Sequence, residues 1–569
     1  MAKTKRAVVK PTTIEPAVKT QPERGKKARG SEPAPHRWRA IAGVAGALLL
    51  SLIIYGLRLN KIIGHPFVDD AYYVLLAKAL ATGQGFTLIN TPSPGIMPLY
   101  PPGFPWLLSL VYRLSPQFPQ NLWLLKSVSL VAVLGAGVVA YRYFVRYRGL
   151  PPYLAFGIVM ATVLNPALVH FATSTVMSEC VFTLVQLLTI IVIERCVSLK
   201  GAWRYALLGA ALASFAFLTR SVGVTLVAAT VAYLLKERLL RAAMIFVAGT
   251  VLCVGPWMIY SRLHTPTPAQ RQEQKGYILE SYATQFWQRS AGDIDSGTIS
   301  LGELPARIWK NTAEIMGQDF GVLVASRLLP ILGPTVMALL SFLLSALAIL
   351  GFVATVRERI TVAEITVLLS LMITVAWPWA PLRFILPLTP FLVFYLLMGL
   401  RAIYRWRRRG SGMMDPRAQW VLLAVAAWLI VAGNVVTHLD YIQRLDDPSF
   451  KSRGETAAFE EIETMLQWSR ERLPAEEVFA SLNPPLVHLY TGHKTISAQD
   501  PVESWETWNR LGVRYLVLTS PYGVPERDSA GRKITTVYQS RRDPHLRVVD
   551  LGPPSSRAPW GSAAASAPK

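Results

Sequence analysis

Long apolar runs, separated by short connections whose basic residues fall on every second one, constrain this chain more than any other feature. Such runs cover 40–57, 122–141, 153–171, 176–193, 206–218, 222–235, 242–260, 334–356, 361–375, 384–400 and 420–436. Each is apolar enough for a helix crossing a hydrocarbon layer, so about 11 spans are expected. A soluble chain of 569 residues would need far more charge than the 16% present here. The expected class is a polytopic α-helical membrane protein. No small-x-small cleavage site follows Gly56 and further spans come after it, so the first span is expected to stay attached.

One stretch decides the topology. Residues 206–235 are apolar except for Thr219-Arg220-Ser221. A single helix of that length would be about 45 Å long against a hydrocarbon core of about 30 Å. It would also put Lys236, Arg238 and Arg241 on the face opposite Arg195, Lys200 and Arg204. Two short helices turning at Arg220 keep both clusters on one side, as the positive-inside rule requires. With that hairpin, the basic stretches 142–148, 200–204, 236–241, 357–359 and 401–417 all share a face. The formal charge of +23 is therefore anchoring against anionic lipid, and no nucleic-acid partner is expected. The N-terminus is expected in the cytoplasm and the C-terminus outside, as in a bacterial inner or plasma membrane.

The remaining polar segments divide simply. Residues 1–36 are rich in Lys, Arg and Pro and are expected to be a disordered tail. A membrane module covers 37–436, with outer loops at 58–121 and 261–333. Beyond it, 437–555 reads as a small extracytoplasmic α/β domain, followed by a disordered tail at 556–569. In that domain Phe459, Ile462, Met465 and Leu466 keep helical spacing, and 501–511 reads as a further helical patch. The stretches 478–480 and 513–518 read as buried strands. Cys180, Cys196 and Cys253 lie in or beside apolar runs, which argues against a disulfide framework or a CxxC metal motif. His65, His170 and His264 have no metal-ligand spacing either.

Candidate chemistry collects at the outer connections. Asp69 and Asp70 precede a helical pattern in which Tyr72, Leu75, Leu76, Ala79 and Leu80 share a face. Capping that helix is one reading of the two acids. Catalysis at the membrane–water boundary is the other. A Pro-rich stretch then leads through Tyr100, Pro101, Pro102 and Gly103 to the apolar stripe Trp106, Leu107, Leu110 and Val111, which suits a helix in the interface. Arg220, an ionisable group inside an apolar stretch, needs a partner or a function. It could bind a phosphate or pair with Glu179. Glu179 opens its own span, and Arg383 lies in a similar outer turn.

Taken in order, Asp69-Asp70-x-Tyr72, then 77–86, Tyr100-Pro101-Pro102-Gly103, Phe217-Leu218-Thr219-Arg220, Pro256-Trp257 and Arg383-Phe384-Ile385-Leu386-Pro387 form a pattern. It resembles the GT-C superfamily of membrane glycosyltransferases, in the branch of protein O-mannosyltransferases and lipid A aminoarabinose transferases. The resemblance spans roughly 40–400. It implies a polyprenyl-phosphate-linked sugar as donor, a lipid, glycan or protein acceptor, and an essential acid in the first outer loop, here Asp69. Asp70 stands where Glu is common, and Tyr100 where the aminoarabinose transferases carry Lys.

The expected roles follow. Asp69, with Asp70, is the catalytic pair; Arg220 and Arg383 hold the donor phosphate. Tyr72, Tyr100, Pro101, Pro102, Gly103 and Glu179 shape the substrate loop. Lipid phosphate leaves as a stable anion, so one base and one cation suffice where glycosidases need two carboxylates. No cofactor is firmly implied, and no metal ligands are assigned, although adjacent carboxylates suit a divalent cation. A lipid or polysaccharide flippase is the alternative function, and a non-catalytic scaffold a third.

Overall fold

The computed structural model describes residues 34–553 apart from 66, 94, 99, 275, 409–415, 446, 448–454, 499–500 and 521–533. The tail expected at 1–36 lies outside the described residues except for its last three, which begin the first helix; 556–569 lies wholly outside them.

Helices make up most of the described residues up to 444. They are α1 (Ala34–Arg58), α2 (Asp69–Ala81), α3 (Gly103–Leu114), α4 (Leu122–Arg146), α5 (Pro152–Val163), α6 (Pro166–Thr173), α7 (Glu179–Ser198), α8 (Trp203–Thr219), α9 (Val224–Lys236) and α10 (Leu240–Leu263). After these come α11 (Pro268–Glu273), α12 (Tyr282–Trp287), a hairpin of β1 (Gln288–Ser290) and β2 (Asp293–Thr298), α13 (Leu304–Glu314) and α14 (Phe320–Ala325). The series closes with α15 (Leu329–Glu358), α16 (Val362–Ala376), α17 (Leu382–Ile385), α18 (Thr389–Arg408) and α19 (Pro416–Arg444).

All of the expected spans are helical, but they differ in length. Six segments are long and apolar enough to cross a membrane, and a seventh if the pair α5–α6, bent by 51°, counts as one span. The apolar segments in α1, α8, α9 and α16 are shorter. The expected number of 11 therefore counts short helices equally with long ones. The turn at Arg220 is present: Arg220 is extended, residues 221–223 form a 3₁₀ turn, and α9 then runs back. Gly223 is needed there, because a Cβ would lie 2.6 Å from the Phe217 nitrogen.

Basic residues gather at one end of the bundle. The N-termini of α7 and α9 and the C-termini of α8 and α16 meet around Arg220 and Glu179. Their other ends carry Arg195, Lys236, Arg204 and Arg359, together with Arg148 beyond α4. That distant end is itself tied together. Arg148 pairs with Glu364, which opens α16 and also accepts from the Tyr395 hydroxyl at 3.0 Å. Arg359 donates to Glu194 at 3.1 Å.

The tightest helix pair is α15 with α18. A Cβ at Gly351 would lie 1.8 Å from the Tyr395 carbonyl oxygen, and one at Gly399 would lie 2.0 Å from the Leu347 carbonyl oxygen. The glycines thus let the two backbones touch, the packing mode that small residues permit between membrane helices.

The polar tail folds as an α/β unit. After α20 (Glu455–Arg472) come β3 (Val478–Ser481), α21 (Pro484–Thr491), β4 (Thr495–Ser497), α22 (Pro501–Arg510), β5 (Val513–Leu518), β6 (Thr535–Gln539) and β7 (Arg547–Asp550). The sheet order is β4-β3-β5-β7-β6, with the first three strands parallel and the last two antiparallel. Ala480, Ile496, Trp508, Leu516 and Val549 form its core beneath α22. The boundary expected at 437 falls inside α19, which continues to Arg444. Apolar periodicity ended there before the backbone helix did.

Candidate active site

The acid-bearing helix starts where its pattern begins. Ala71 to Leu76 are buried with Tyr72 and Tyr73 among them, so α2 is not a surface cap but a core helix. Neither acid caps it through the usual N2 or N3 bond, since the N-cap position is Val68 and accepts no side-chain bond. Successive helical residues point about 100° apart, and this sends the two acids in different directions.

Asp69 enters the site. Its Oδ1 accepts from the Tyr100 hydroxyl at 2.5 Å, and its Oδ2 from Arg383 Nη1 at 2.6 Å. The same Arg383 donates through Nε to Glu179 Oε1 at 2.5 Å. Arg220 Nη1 pairs with that Glu179 oxygen at 2.6 Å and reaches Ser178 Oγ at 3.2 Å. Glu179 is fully buried. It thus holds two guanidinium groups side by side, one of which also grips Asp69.

Around this row lies a cavity of about 390 Å³, walled by Asp69, Tyr73, Tyr100, Pro101, Arg220 and Arg383 on its polar side. Phe217, Val222, Val224, Ile373 and Phe384 make an apolar side, and Tyr282, Gln285, Trp377 and Trp379 complete the wall from α12 and the turn after α16. Val224 and Ile373 are also exposed on the outer surface of the bundle. The cavity therefore has charge at its back and lipid-like surface beside it, a shape suited to an anionic head group on an apolar chain. Burial pushes the Tyr282 phenol up to about 12, so it meets the cavity as a neutral donor.

Asp70 does not line the cavity. Its Oδ1 accepts from the Gly64 and Ala71 amides, both at 2.8 Å, and its Oδ2 is buried without a partner. The expectation of a catalytic pair is corrected here: the acids diverge and do not converge on one point. Burial raises the Asp70 carboxyl to about 7, against the pull of the two amides and of Lys126. A proton held more tightly in the folded than in the unfolded chain stabilises at low pH. That contribution is lost as pH rises from 3.8 to about 7. The melting temperature of the wild type should therefore fall across that window. Asp70→Asn, which keeps the acceptor oxygen, should flatten the slope; a parallel pair of thermal-melt profiles between pH 5 and 8 checks this.

The other expected loop residues separate as well. Tyr72 turns its hydroxyl to Gln274, which donates to it at 2.7 Å, and is not in the cavity wall. Pro102 precedes α3. Gly103 rests on the end of α8, where a Cβ would lie 2.8 Å from the Leu218 carbonyl oxygen. These two residues seat α3 against α8, while Pro101 and Tyr100 reach the cavity. On α3 the face with Phe104, Leu108 and Tyr112 is buried, leaving Trp106 and Leu110 of the expected apolar stripe outward.

Several contributors escaped the sequence reading. Tyr73 packs its ring, tilted by 49°, 5.1 Å from that of Tyr100 and lines the cavity. Lys126 is fully buried and donates to the carbonyls of Asn60, Ile62 and Thr173, fixing the connection from α1 to α2. A lysine within an apolar run was the available signal for it. Among the described residues no group of three or more His, Cys, Asp or Glu is arranged to hold a metal ion.

No protein-family description matches the sequence, and no curated protein matches it. Among solved structures, ArnT from Cupriavidus metallidurans bound to undecaprenyl phosphate is similar over 90% of this chain and 98% of its own, with a TM-score of 0.56 at 15% identity. Its apo state matches over the same shares with a TM-score of 0.55 at 14% identity.

Proposed function

We propose, from the GT-C fold that this chain shares with ArnT, that it is a membrane glycosyltransferase using a polyprenyl-phosphate-linked sugar. The observation that carries the reading is the row Asp69–Arg383–Glu179–Arg220 at the back of a cavity with one apolar side. Its chemistry is that of a base beside a phosphate cradle. The basic residues gathered at the far end support an extracytoplasmic position for the site. ArnT was crystallised with undecaprenyl phosphate, which supports a carrier lipid of that class here.

In this reading the donor's phosphate lies against Arg220 and Arg383, and its tail leaves past Val224 and Ile373. An acceptor hydroxyl, on a lipid, glycan or protein, gives its proton to Asp69 and attacks the anomeric carbon. The new C–O bond forms as the bond from that carbon to the phosphate oxygen breaks, inverting the anomeric centre. Lipid phosphate departs as an anion, and the guanidinium groups stabilise the charge it gains. Arg383 has a second part. Its Nη1 donates to Asp69 Oδ2 at 2.6 Å, so that carboxylate oxygen is engaged by the guanidinium. An arriving phosphate competes for the same guanidinium and frees Asp69, so the base is armed only when the donor is in place.

The test supplies membranes holding the chain with polyprenyl-phosphate sugars labelled on the sugar, and follows label into membrane material. Transfer is expected, and it is expected to persist in EDTA because two arginines supply the positive charge. Loss in EDTA with recovery on Mg²⁺ would show instead that a metal meets the phosphate. Label crossing the bilayer without a new covalent product would favour a flippase and overturn the reading.

A further inference from the structure

We propose that the C-terminal α/β domain is a clamp that fixes the Asp69 helix from two sides, with Asn483 and Asn90 as positioning residues. The inference rests on the transfer reaction above, in which Asp69 is the base. Its basis is two buried hydrogen-bond chains that start in the domain and end next to Asp69.

The first chain runs through Gly64. Asn483, at the start of α21, donates from Nδ2 to the Gly64 carbonyl at 2.7 Å. The Gly64 amide in turn donates to Asp70 Oδ1 at 2.8 Å. Gly64 has φ +68°, and a Cβ there would lie 2.8 Å from Asn483 Nδ2, so only glycine lets the domain come this close. Asp70 follows Asp69 directly.

The second chain starts on the edge strand β4. The Thr495 amide donates to the Asn90 carbonyl at 2.6 Å, and Asn90 Nδ2 returns a bond to the Thr495 carbonyl at 2.8 Å. Asn90 thereby pairs with β4 as a further strand residue would. From there Asn90 Nδ2 also reaches Gln274 Oε1 at 3.4 Å, and Gln274 Nε2 donates to the Tyr72 hydroxyl at 2.7 Å. Asn90, Gln274, Tyr72 and Thr495 are all buried. Lys494 adds a bond from Nζ to the Ile89 carbonyl at 2.8 Å. Tyr72 lies three residues after Asp69 on the same helix.

Asp69 thus opens a helical turn that is tied at two points. Asp70, directly after it, and Tyr72, three residues on and on another side of the helix, are each held by the domain through donors that water does not reach. Such fixing matters because a shift of about 1 Å in a reacting group can cost about 10²-fold in rate. Apolar contact also joins the domain to the membrane module, as where the Phe118 and Tyr490 rings meet 5.0 Å apart, but such contact has no direction and does not by itself orient α2. The hydrogen-bonded links are directional and aimed at Asp70 and Tyr72.

The experiment compares the full-length wild type with Asn483→Ala, Asn90→Ala and the double variant in the labelled-sugar assay. Each single change is expected to lower kcat by about 10-fold and the pair by about 10²-fold, with KM for the donor unmoved. Gln274→Leu should behave like Asn90→Ala. Gln274→Glu, which can still accept from both Asn90 and the Tyr72 hydroxyl, should recover most of kcat relative to Gln274→Leu. Unchanged kcat, or a loss confined to KM, would overturn the clamp. Hydrogen exchange provides a readout free of activity: amides of residues 70–76 should exchange faster in the double variant, while those of α4 keep their rates. Unchanged exchange overturns the clamp even if the wild type transfers nothing, an outcome that would retire the transfer reading by itself.

Discussion

Asp69→Asn is expected to lower the transfer rate by between about 10²- and 10⁴-fold, the usual contribution of a positioned base. The informative part is what should happen to the donor. In the wild type, Asp69 Oδ2 takes one hydrogen bond of Arg383 at 2.6 Å, and a bound phosphate must compete for it. Asparagine removes that competing charge while retaining a side chain of the same shape. KM for the lipid donor should therefore stay level or fall while kcat collapses, the signature of a group that acts in the transition state. A rise in donor KM together with intact kcat would mean that Asp69 serves binding alone. Steady-state kinetics with donor varied at a fixed acceptor level settles the split. Asp70→Asn serves as the neighbouring comparison, because its carboxyl faces Gly64 and not the cavity.

Gly351→Val is expected to destabilise the protein by about 3 kcal/mol or more, at the upper end for overpacked sites. Nothing flexible is available to yield at this position. The nearest atoms to a new Cβ are the Tyr395 carbonyl oxygen at 1.8 Å and the Gly399 nitrogen at 2.4 Å, both backbone. Moving α18 would disturb Tyr395, whose hydroxyl donates to Glu364, and with it the buried pair to Arg148. Even alanine adds the offending atom. Gly255→Ala on α10 is the control, since a Cβ there meets nothing within 4 Å. Thermal melts of detergent extracts should show a large downward shift or no folded peak for Gly351→Val, and little change for Gly255→Ala. Equal melting temperatures for all three would contradict the close contact.

Much of this was legible in the chain because the signals are local. Span positions follow from runs of apolar residues. The hairpin at Arg220 follows from helix length and charge sign, both countable within 30 residues. The placement of Asp69, Tyr100, Glu179, Arg220 and Arg383 at one end follows from topology alone. Direct bonding among them was legible only as a choice, since a buried Arg220 needed either a phosphate or Glu179.

Other features depend on contacts that local periodicity does not encode. Asp69 and Asp70 read as one motif, yet a helix turns adjacent residues apart, and their partners come from Arg383 and from Gly64. Gln274 meets Tyr72 across a separation of 202 residues, and Asn90 meets Thr495 across 405. Polar residues in loops ordinarily face water, so nothing at Gln274 or Asn90 announced a buried bond. The end of α19 was misplaced for a related reason: backbone hydrogen bonding carried the helix past the point where apolar residues stop.

The short helices bear on the membrane as well as on the site. α8, α9 and α16 hold 17, 13 and 15 residues, or about 25, 20 and 22 Å of rise at about 1.5 Å per residue. Unless their flanking loops sink, a hydrocarbon layer of about 30 Å overhangs them. All three end at the cavity wall. The bilayer is consequently pressed to thin next to the cavity mouth, at a cost of fractions of a kcal/mol per Å of mismatch. In the proposed transfer, a dimple of this kind would draw head groups and water down towards Arg220 and Arg383 and shorten the climb of a carrier phosphate. Acyl-chain length in the host membrane is then expected to set how readily the donor is loaded, through the number of residues in three helices.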